Sequence, residues 1–136
     1  MTILVDSDVL IELIRGRDQN ITSRWKELSR SDSIILYSPV TAAELWAGVR
    51  PLEHEGLTRL FQMLVCAPID YETGHQAGNF LRQYQKSHGL DLGDALIAAT
   101  ALLNRAQLWT RNRKHYPMKE ISLYDGVLPP TAFPSI

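Results

Sequence analysis

Three acidic residues lie in apolar stretches of the sequence, where a carboxylate is costly unless another group compensates for its charge. Asp6 ends the segment ILVD, Glu44 lies within AAELWA, and Asp94 lies within LGDALI. A divalent cation compensates for such charges well, because Mg²⁺ binds a few carboxylate oxygens and keeps several of its waters. The three residues therefore predict a metal site, and oxygen ligands suit Mg²⁺ and Mn²⁺ alike.

Each acidic residue also has a structural interpretation when it is taken alone. Asp6 can cap the helix that follows it, and Asp94 can stabilise the first turn of a helix through the helix dipole. Asp91 is a good N-cap for that same helix, which leaves Asp94 free for another role. Glu44 is harder to explain as structure, since no cation lies four residues before or after it. The metal-site prediction therefore depends on the set of three.

The spacing of apolar residues predicts the elements that carry these side chains. Strand-like runs cover residues 2–5, 33–37, 67–69, 108–110 and 121–123, and helical patterns cover about 10–14, 19–31, 41–49, 51–64, 71–86 and 92–104. Strands that alternate with helices predict a parallel sheet with helices on both faces. Ligands of such folds bind at the carboxyl ends of the strands, so Asp6 and Thr110 to Asn112 are expected at one edge of the sheet.

Length and composition indicate one globular domain over residues 1–136. The chain has 136 residues, near the usual size of a single domain, and its 45% hydrophobic and 21% charged residues are ordinary for a folded protein. The net charge of −1 argues against a surface that coats itself in nucleic acid, although it does not exclude a nucleic-acid enzyme. The proline-containing tail at 128–136 is expected to be extended and peripheral.

The sequence also leads us to expect a cytoplasmic protein with no membrane partner. No apolar run approaches the roughly 20 residues that span a bilayer, and the first residues, MTILVDSD, carry acid where a signal peptide carries positive charge. Cys66 is the one cysteine, which excludes an internal disulfide and fits a reducing compartment. Its apolar neighbours predict that Cys66 is buried, and the helical spacing of Trp25, Trp46 and Phe61 predicts that these rings lie in the core.

Four segments resemble the motifs of the PIN-domain family, and VapC-type toxins of bacterial toxin–antitoxin pairs are the members that they resemble most. The segments are VDSDVLI at 5–11, TAAEL at 41–45, GDALIAATA at 93–101 and TRNRKHY at 110–116. They occur in the family's order and span nearly the whole chain. The resemblance implies a three-layer α/β/α sandwich with a central parallel sheet, a Mg²⁺- or Mn²⁺-dependent endoribonuclease, a cognate antitoxin and a homodimer.

The resemblance also implies catalytic roles for four residues. The metal-site carboxylates are Asp6, Glu44 and Asp94; the two aspartates hold the metal, and Glu44 binds it or orients the attacking water. Asn112 takes the fourth position, where many members have Asp, and is expected to orient a water of the metal. Because Asn112 brings no charge, it does not support a second, tightly held metal. The implied reaction is hydrolysis of an RNA phosphodiester bond.

Polar and apolar neighbours complete the predicted site. Ser7 and Thr110 are expected to hydrogen-bond a carboxylate or the scissile phosphate. Arg111 and Arg113 lie beside Asn112 and could hold phosphates of the RNA, while a solvated charged turn explains them equally well. The resemblance also leads to the hypothesis that Trp46 helps to form a groove for the antitoxin.

Two other functions remain open at this point. The segment ILVDSDVL also fits the opening motif of haloacid-dehalogenase phosphatases, with Asp6 as the nucleophile and Asp8 as the acid. That function leaves Glu44 without a role, and the chain lacks the acidic pair that such enzymes carry downstream. The second alternative is a catalytically inactive PIN-like binding partner, in which Asn112 marks a decayed site.

Overall fold

The central sheet of the protein consists of parallel strands. The computed structural model describes residues 1–126, so the expectations for the tail at 128–136 and for a domain that reaches residue 136 extend outside the described residues. Within residues 1–126 the sheet contains five strands, β1 (Thr2–Val5), β2 (Ile34–Tyr37), β3 (Val65–Cys66), β4 (Gln107–Trp109) and β5 (Ser122–Leu123). Their order is β3-β2-β1-β4-β5, which puts β1 at the centre.

Helices cover both faces of this sheet. Six α-helices lie in the described part of the chain: α1 (Ser7–Arg15), α2 (Gln19–Arg30), α3 (Pro39–Gly48), α4 (His54–Gln62), α5 (Tyr71–His88) and α6 (Leu92–Leu103). Two short 3₁₀ helices cover Pro51–Glu53 and Arg113–His115. The fold is therefore the three-layer α/β/α sandwich with a central parallel sheet that the sequence predicts.

The alternation of side chains along β1 divides the core into two layers. Leu4 points to one face and packs with Phe80 of α5 and Ile97 of α6. Ile3 and Val5 point to the other face, where α1, α2 and α4 cover them. Because β1 is the central strand and is buried on both faces, Asp6, which follows it, lies at the carboxyl edge of the sheet near the middle of that edge.

Short turns from strand or loop into helix set the positions of the acidic residues. Asp6 follows β1 directly and caps α1, and Asp91 caps α6 by accepting a hydrogen bond of 2.8 Å from the N–H of Asp94. Helix α1 ends at Arg15 and is capped by Gly16, whose φ of 64° lies in the left-handed region that glycine adopts without steric cost. Asp6 thus starts one helix, and Asp94 lies in the first turn of another.

Several sequence predictions need correction at the edge of the sheet and on α3. The third strand lies at Val65–Cys66 rather than at 67–69, and it ends two residues before Pro68, which cannot donate to a ladder. Cys66 is exposed instead of buried, because it lies in a two-residue strand at the edge of the sheet, where both residues are exposed. Trp46 is 44% exposed because α3 buries Leu45 and Thr41 instead.

Within residues 1–126 no helix combines the length and apolar character that crossing a membrane requires.

Candidate metal centre

Asp6 is the best anchored of the predicted metal ligands. Its side chain is 8% exposed, and Oδ1 accepts a hydrogen bond of 2.9 Å from the N–H of Ser7. Oδ2 accepts hydrogen bonds from the hydroxyl of Thr110 at 3.0 Å and from that of Tyr116 at 2.9 Å. Asp6 and Thr110 meet because β1 and β4 are parallel neighbours, and the expectation that they share one edge of the sheet is confirmed.

Tyr116 links Asp6 to Asp94. Its hydroxyl lies 2.9 Å from Oδ2 of Asp6 and 3.3 Å from Oδ1 of Asp94, so one O–H group faces both carboxylates. Burial, together with the charges of Asp6 and Asp94, raises the pKa of Tyr116, which therefore stays protonated and donates. Sequence patterns predicted no role for Tyr116, whose one signal is its place at the end of the TRNRKHY segment.

Glu44 and Asp94 complete the cluster from two other helices. Partial burial, followed by the charges of Asp6 and Asp94, raises the pKa of Glu44. Partial burial, followed by the charge of Asp91, raises the pKa of Asp94. The hydroxyl of Ser7 lies 3.5 Å from Oε1 of Glu44, the carboxylate contact that the sequence predicted for Ser7. Asp6, Glu44 and Asp94 therefore repel one another, and neighbouring groups of the described residues neutralise only part of their negative charge.

Such a donor set fits a divalent cation with oxygen ligands. Uncompensated charge on Asp6, Glu44 and Asp94 favours a cation, and carboxylates are the ligands that Mg²⁺ and Mn²⁺ prefer. No three Asp, Glu, His or Cys side chains of residues 1–126 converge closely enough to ligate one ion together. This spacing suits a cation that keeps several waters, since those waters bridge to carboxylates that lie beyond direct reach.

His115 reaches the same site from the 3₁₀ helix that follows β4. Its Nδ1 lies 3.4 Å from Oδ2 of Asp94, and both side chains are partly exposed. A protonated imidazole at this distance lowers the pKa of Asp94 and opposes part of the effect of burial. His115 therefore joins Tyr116 as a polar neighbour of Asp94.

Asn112 contacts Asp8 rather than one of the three predicted ligands. Its Nδ2 donates a hydrogen bond of 2.9 Å to Oδ2 of Asp8, and the N–H of Arg111 donates to the same oxygen at 3.0 Å. Burial and the charge of Asp6 raise the pKa of Asp8 to about 6. The expectation that Asn112 orients a water of the metal gains no support from this contact, because its amide nitrogen holds a carboxylate instead.

The two arginines that the sequence singled out have different surroundings. The guanidinium of Arg111 lies 3.2 Å from the buried carboxylate of Glu12, which also pairs with Arg17 at 2.5 Å. Arg113 is exposed in the 3₁₀ helix and forms no ion pair with residues 1–126. Of the two candidates for an RNA phosphate, Arg113 is free to contact one, whereas Arg111 ties the loop after β4 to α1.

A cleft of about 190 Å³ opens between α1 and α3 next to these carboxylates. Polar side chains line one part of it and apolar groups the other. Its lining residues are Ser7, Asp8, Ile11, Arg15, Glu44, Leu45 and Gly48. A substrate or partner segment in this cleft would lie directly against Glu44.

Comparison with known proteins agrees with the sequence motifs. The model of the family described as "PIN domain" matches residues 3–121. The chain is 39% identical to Ribonuclease VapC10 of Mycobacterium tuberculosis, over 97% of this chain and 95% of that protein. It is 34% identical to Ribonuclease VapC19 of the same species, over 85% of this chain and 92% of that protein.

Solved structures show the same fold. The chain superimposes with a TM-score of 0.78 on VapBC2 from Rickettsia felis bound to a DNA fragment from its promoter, at 20% identity over 91% of this chain and 98% of that one. For VapBC-1 from nontypeable Haemophilus influenzae the TM-score is 0.76, at 22% identity over 93% of this chain and 98% of that one. At such low identity these likenesses show the architecture alone.

Proposed function

The chain belongs to the PIN-domain family, and from that premise we propose that it is a metal-dependent endoribonuclease, the toxin of a toxin–antitoxin pair. The observation that carries the proposal is that the hydroxyl of Tyr116 contacts both Asp6 and Asp94, at 2.9 and 3.3 Å, while Glu44, whose pKa is raised by burial, lies near enough for their charges to raise it further. Two relatives that this chain matches over nearly their whole length bear the name ribonuclease. RNA is therefore the proposed substrate.

Asp6 and Asp94 are the residues that would hold the metal, with Glu44 as the third. A bound Mg²⁺ or Mn²⁺ would polarise the phosphoryl oxygen of the RNA and would lower the pKa of a water molecule bound to the metal. Thr110 and Tyr116 occupy Oδ2 of Asp6, which fixes the rotation of this carboxylate. Hydrogen-bonded neighbours of this kind orient ligands and tune their basicity.

Glu44 is suited to accept a proton from the attacking water. Its carboxylate has one long hydrogen bond, from Ser7, and it lines the cleft in which an RNA phosphate would lie. Its raised pKa brings Glu44 nearer to neutral pH, where a general base works best. Arg113 is exposed in the same 3₁₀ helix as His115, which contacts Asp94, and its charge would attract the phosphate backbone.

RNA cleavage with and without metal tests this proposal. The wild-type chain is compared with Asp94→Asn, and Asp32→Asn is the control, since Asp32 is exposed in the turn before β2 at the opposite edge of the sheet. We expect cleavage by wild type and Asp32→Asn in Mg²⁺, no cleavage in excess EDTA, and a large loss in Asp94→Asn. Full activity in EDTA or in Asp94→Asn would reject the metal mechanism, and no RNA cleavage by the wild type would favour the inactive PIN-like partner.

The phosphatase alternative fits the site poorly. Oδ2 of Asp6 accepts hydrogen bonds from two hydroxyl groups and Oδ1 accepts one from the N–H of Ser7; these bonds stabilise the carboxylate charge and make Asp6 a weaker nucleophile. Asp8 is likewise held by the loop after β4. Release of phosphate from a small phosphomonoester, lost in Asp8→Ala, is the result that would restore this alternative.

An antitoxin is the proposed protein partner, and we propose a homodimer and a cytoplasmic location. Solved structures of the same fold are complexes of a VapB and a VapC protein. The cleft beside Glu44 carries apolar surface from Ile11 and Leu45, which suits a segment that blocks the site. Trp46 lies outside this cleft, where its ring packs edge-on against His54 at 5.5 Å. Co-purification of a small protein that stops RNA cleavage would support the pairing, and full activity in its presence would argue against it.

A further inference from the structure

Asp8 stands beside the three predicted ligands with one carboxylate oxygen unused. Oδ2 accepts hydrogen bonds from Nδ2 of Asn112 and from the N–H of Arg111. Oδ1 is buried and has no hydrogen-bond partner among residues 1–126. A buried carboxylate oxygen without a partner is unfavourable, so this position calls for a donor or a cation that the described protein groups do not supply.

The position of Asp8 joins it to the metal centre. The hydroxyl of Thr110 lies 3.0 Å from Oδ2 of Asp6 and 3.4 Å from Oδ2 of Asp8, so one small group contacts both carboxylates. Asp8 and Glu44 also line the same cleft. Asp8 therefore lines the cleft together with Glu44 and shares the hydroxyl of Thr110 with Asp6.

The nearby arginines do not compensate for the charge of Asp8. Arg15 lines the cleft, but its Nε pairs with Glu53 at 3.0 Å. The guanidinium of Arg111 pairs with Glu12 at 3.2 Å, and only its backbone N–H reaches Asp8. Asn112 is neutral, so it positions Asp8 without changing the net charge.

Resting on the proposed metal-dependent function, we propose that Asp8 supplies a fourth carboxylate to the metal centre and that Asn112 holds it in place. The negative charge that residue 112 lacks is then carried by residue 8. A side chain that merely ties α1 to the loop after β4 needs hydrogen bonds but not a charge. Replacement of Asp8 by its neutral isostere separates the two roles.

Binding of Mn²⁺ to the full chain, measured by calorimetry in the absence of RNA, tests this role. Asp8→Asn keeps the shape of the side chain and is expected to weaken binding at least about tenfold, the loss typical when a group that supports a metal site is removed. Asp91→Asn is the matched control, because Asn also caps a helix and Asp91 is an exposed acid near Asp94. Loss of that solvated charge is expected to weaken binding only about two- to threefold.

A charge swap completes the experiment. In the double variant Asp8→Asn/Asn112→Asp the carboxylate returns at residue 112, and Mn²⁺ affinity is expected to return to near that of the wild type. Equal losses in Asp8→Asn and Asp91→Asn, wild-type binding by Asp8→Asn, or a folded double variant without recovery would each overturn the assignment. If Asp8→Asn alone does not fold, the double variant decides. A wild type that binds no Mn²⁺ would instead contradict the proposed function itself.

Discussion

Removal of the Asp8 charge is predicted to stabilise the metal-free protein at neutral pH. The pKa of Asp8 is raised from 3.8 to about 6, chiefly by burial and then by the charge of Asp6. Each pKa unit corresponds to about 1.4 kcal/mol, so the ionised form costs the folded state up to about 3 kcal/mol. Solvent screening at this partly exposed side chain reduces the expected gain in Asp8→Asn to about 1–2 kcal/mol.

The sign of the pH dependence follows from the direction of this shift. Below pH 3.8 the carboxyl group of Asp8 is protonated in both states and imposes no penalty. Between pH 3.8 and about 6 the unfolded chain ionises first, so the wild type loses stability, and above about 6 the penalty is constant. The advantage of Asp8→Asn should therefore be largest at pH 7 and should disappear as the pH falls towards 4.

Urea unfolding in EDTA, followed by circular dichroism at pH 4, 5, 6 and 7, measures this difference. Asp32→Asn controls for the loss of an exposed carboxylate in the turn before β2. Saturating Mn²⁺ should reverse the order at pH 7, because the wild type then gains the larger binding energy. A metal-free Asp8→Asn no more stable than the wild type at pH 7, or an advantage that does not change with pH, would refute this explanation of the site.

Three further variants test other contacts of the site. Tyr116→Phe removes the hydroxyl shared by Asp6 and Asp94, and its Mn²⁺ affinity, measured by calorimetry, should fall about tenfold while the fold is retained; unchanged affinity would show that the hydroxyl is dispensable. Glu12→Gln should lower the urea midpoint at pH 7, because a hydrogen bond from Arg17 and the charge of Arg17 lower the pKa of Glu12. The difference in midpoint between Glu12→Gln and the wild type should vanish as the pH falls through the lowered pKa of Glu12. A midpoint unaffected at pH 7 would argue against the ion pairs of Glu12. Arg113→Ala should raise KM for RNA several-fold in kinetic assays at low salt, because it removes a positive charge that attracts phosphates. The urea midpoint should stay unchanged. An unchanged KM would show that Arg113 is not part of the substrate site.

The sequence was sufficient to predict the meeting of Asp6 and Thr110, because that contact follows from strand order. Each residue directly follows a strand, β1 and β4 are parallel neighbours, and parallel strands end at the same edge of a sheet. The α/β/α layers follow from the same alternation of strands and helices. These predictions needed no knowledge of side-chain rotamers.

Contacts that depend on the path of a loop were beyond the sequence. Tyr116 reaches Asp6 only because the 3₁₀ helix after β4 turns the chain back over the site, and no residue spacing encodes that turn. The sequence left Arg111 equally open to a phosphate contact and to a solvated charged turn, but its partner Glu12 lies on a helix about 100 residues earlier in the chain. Cys66 was expected to be buried from its apolar neighbours, yet an edge strand of two residues leaves it exposed.

RNA cleavage by this protein is predicted to depend on a metal held by Asp6, Glu44 and Asp94. The most direct test of this dependence is to measure Mn²⁺ binding and RNA cleavage over the same range of metal concentrations, for the wild type and for Asp6→Asn. We predict that half-maximal cleavage by the wild type occurs at the Kd for Mn²⁺, and that both values rise together in Asp6→Asn. Cleavage that persists in EDTA, or an Asp6→Asn variant that binds Mn²⁺ and cleaves like the wild type, would contradict the claim.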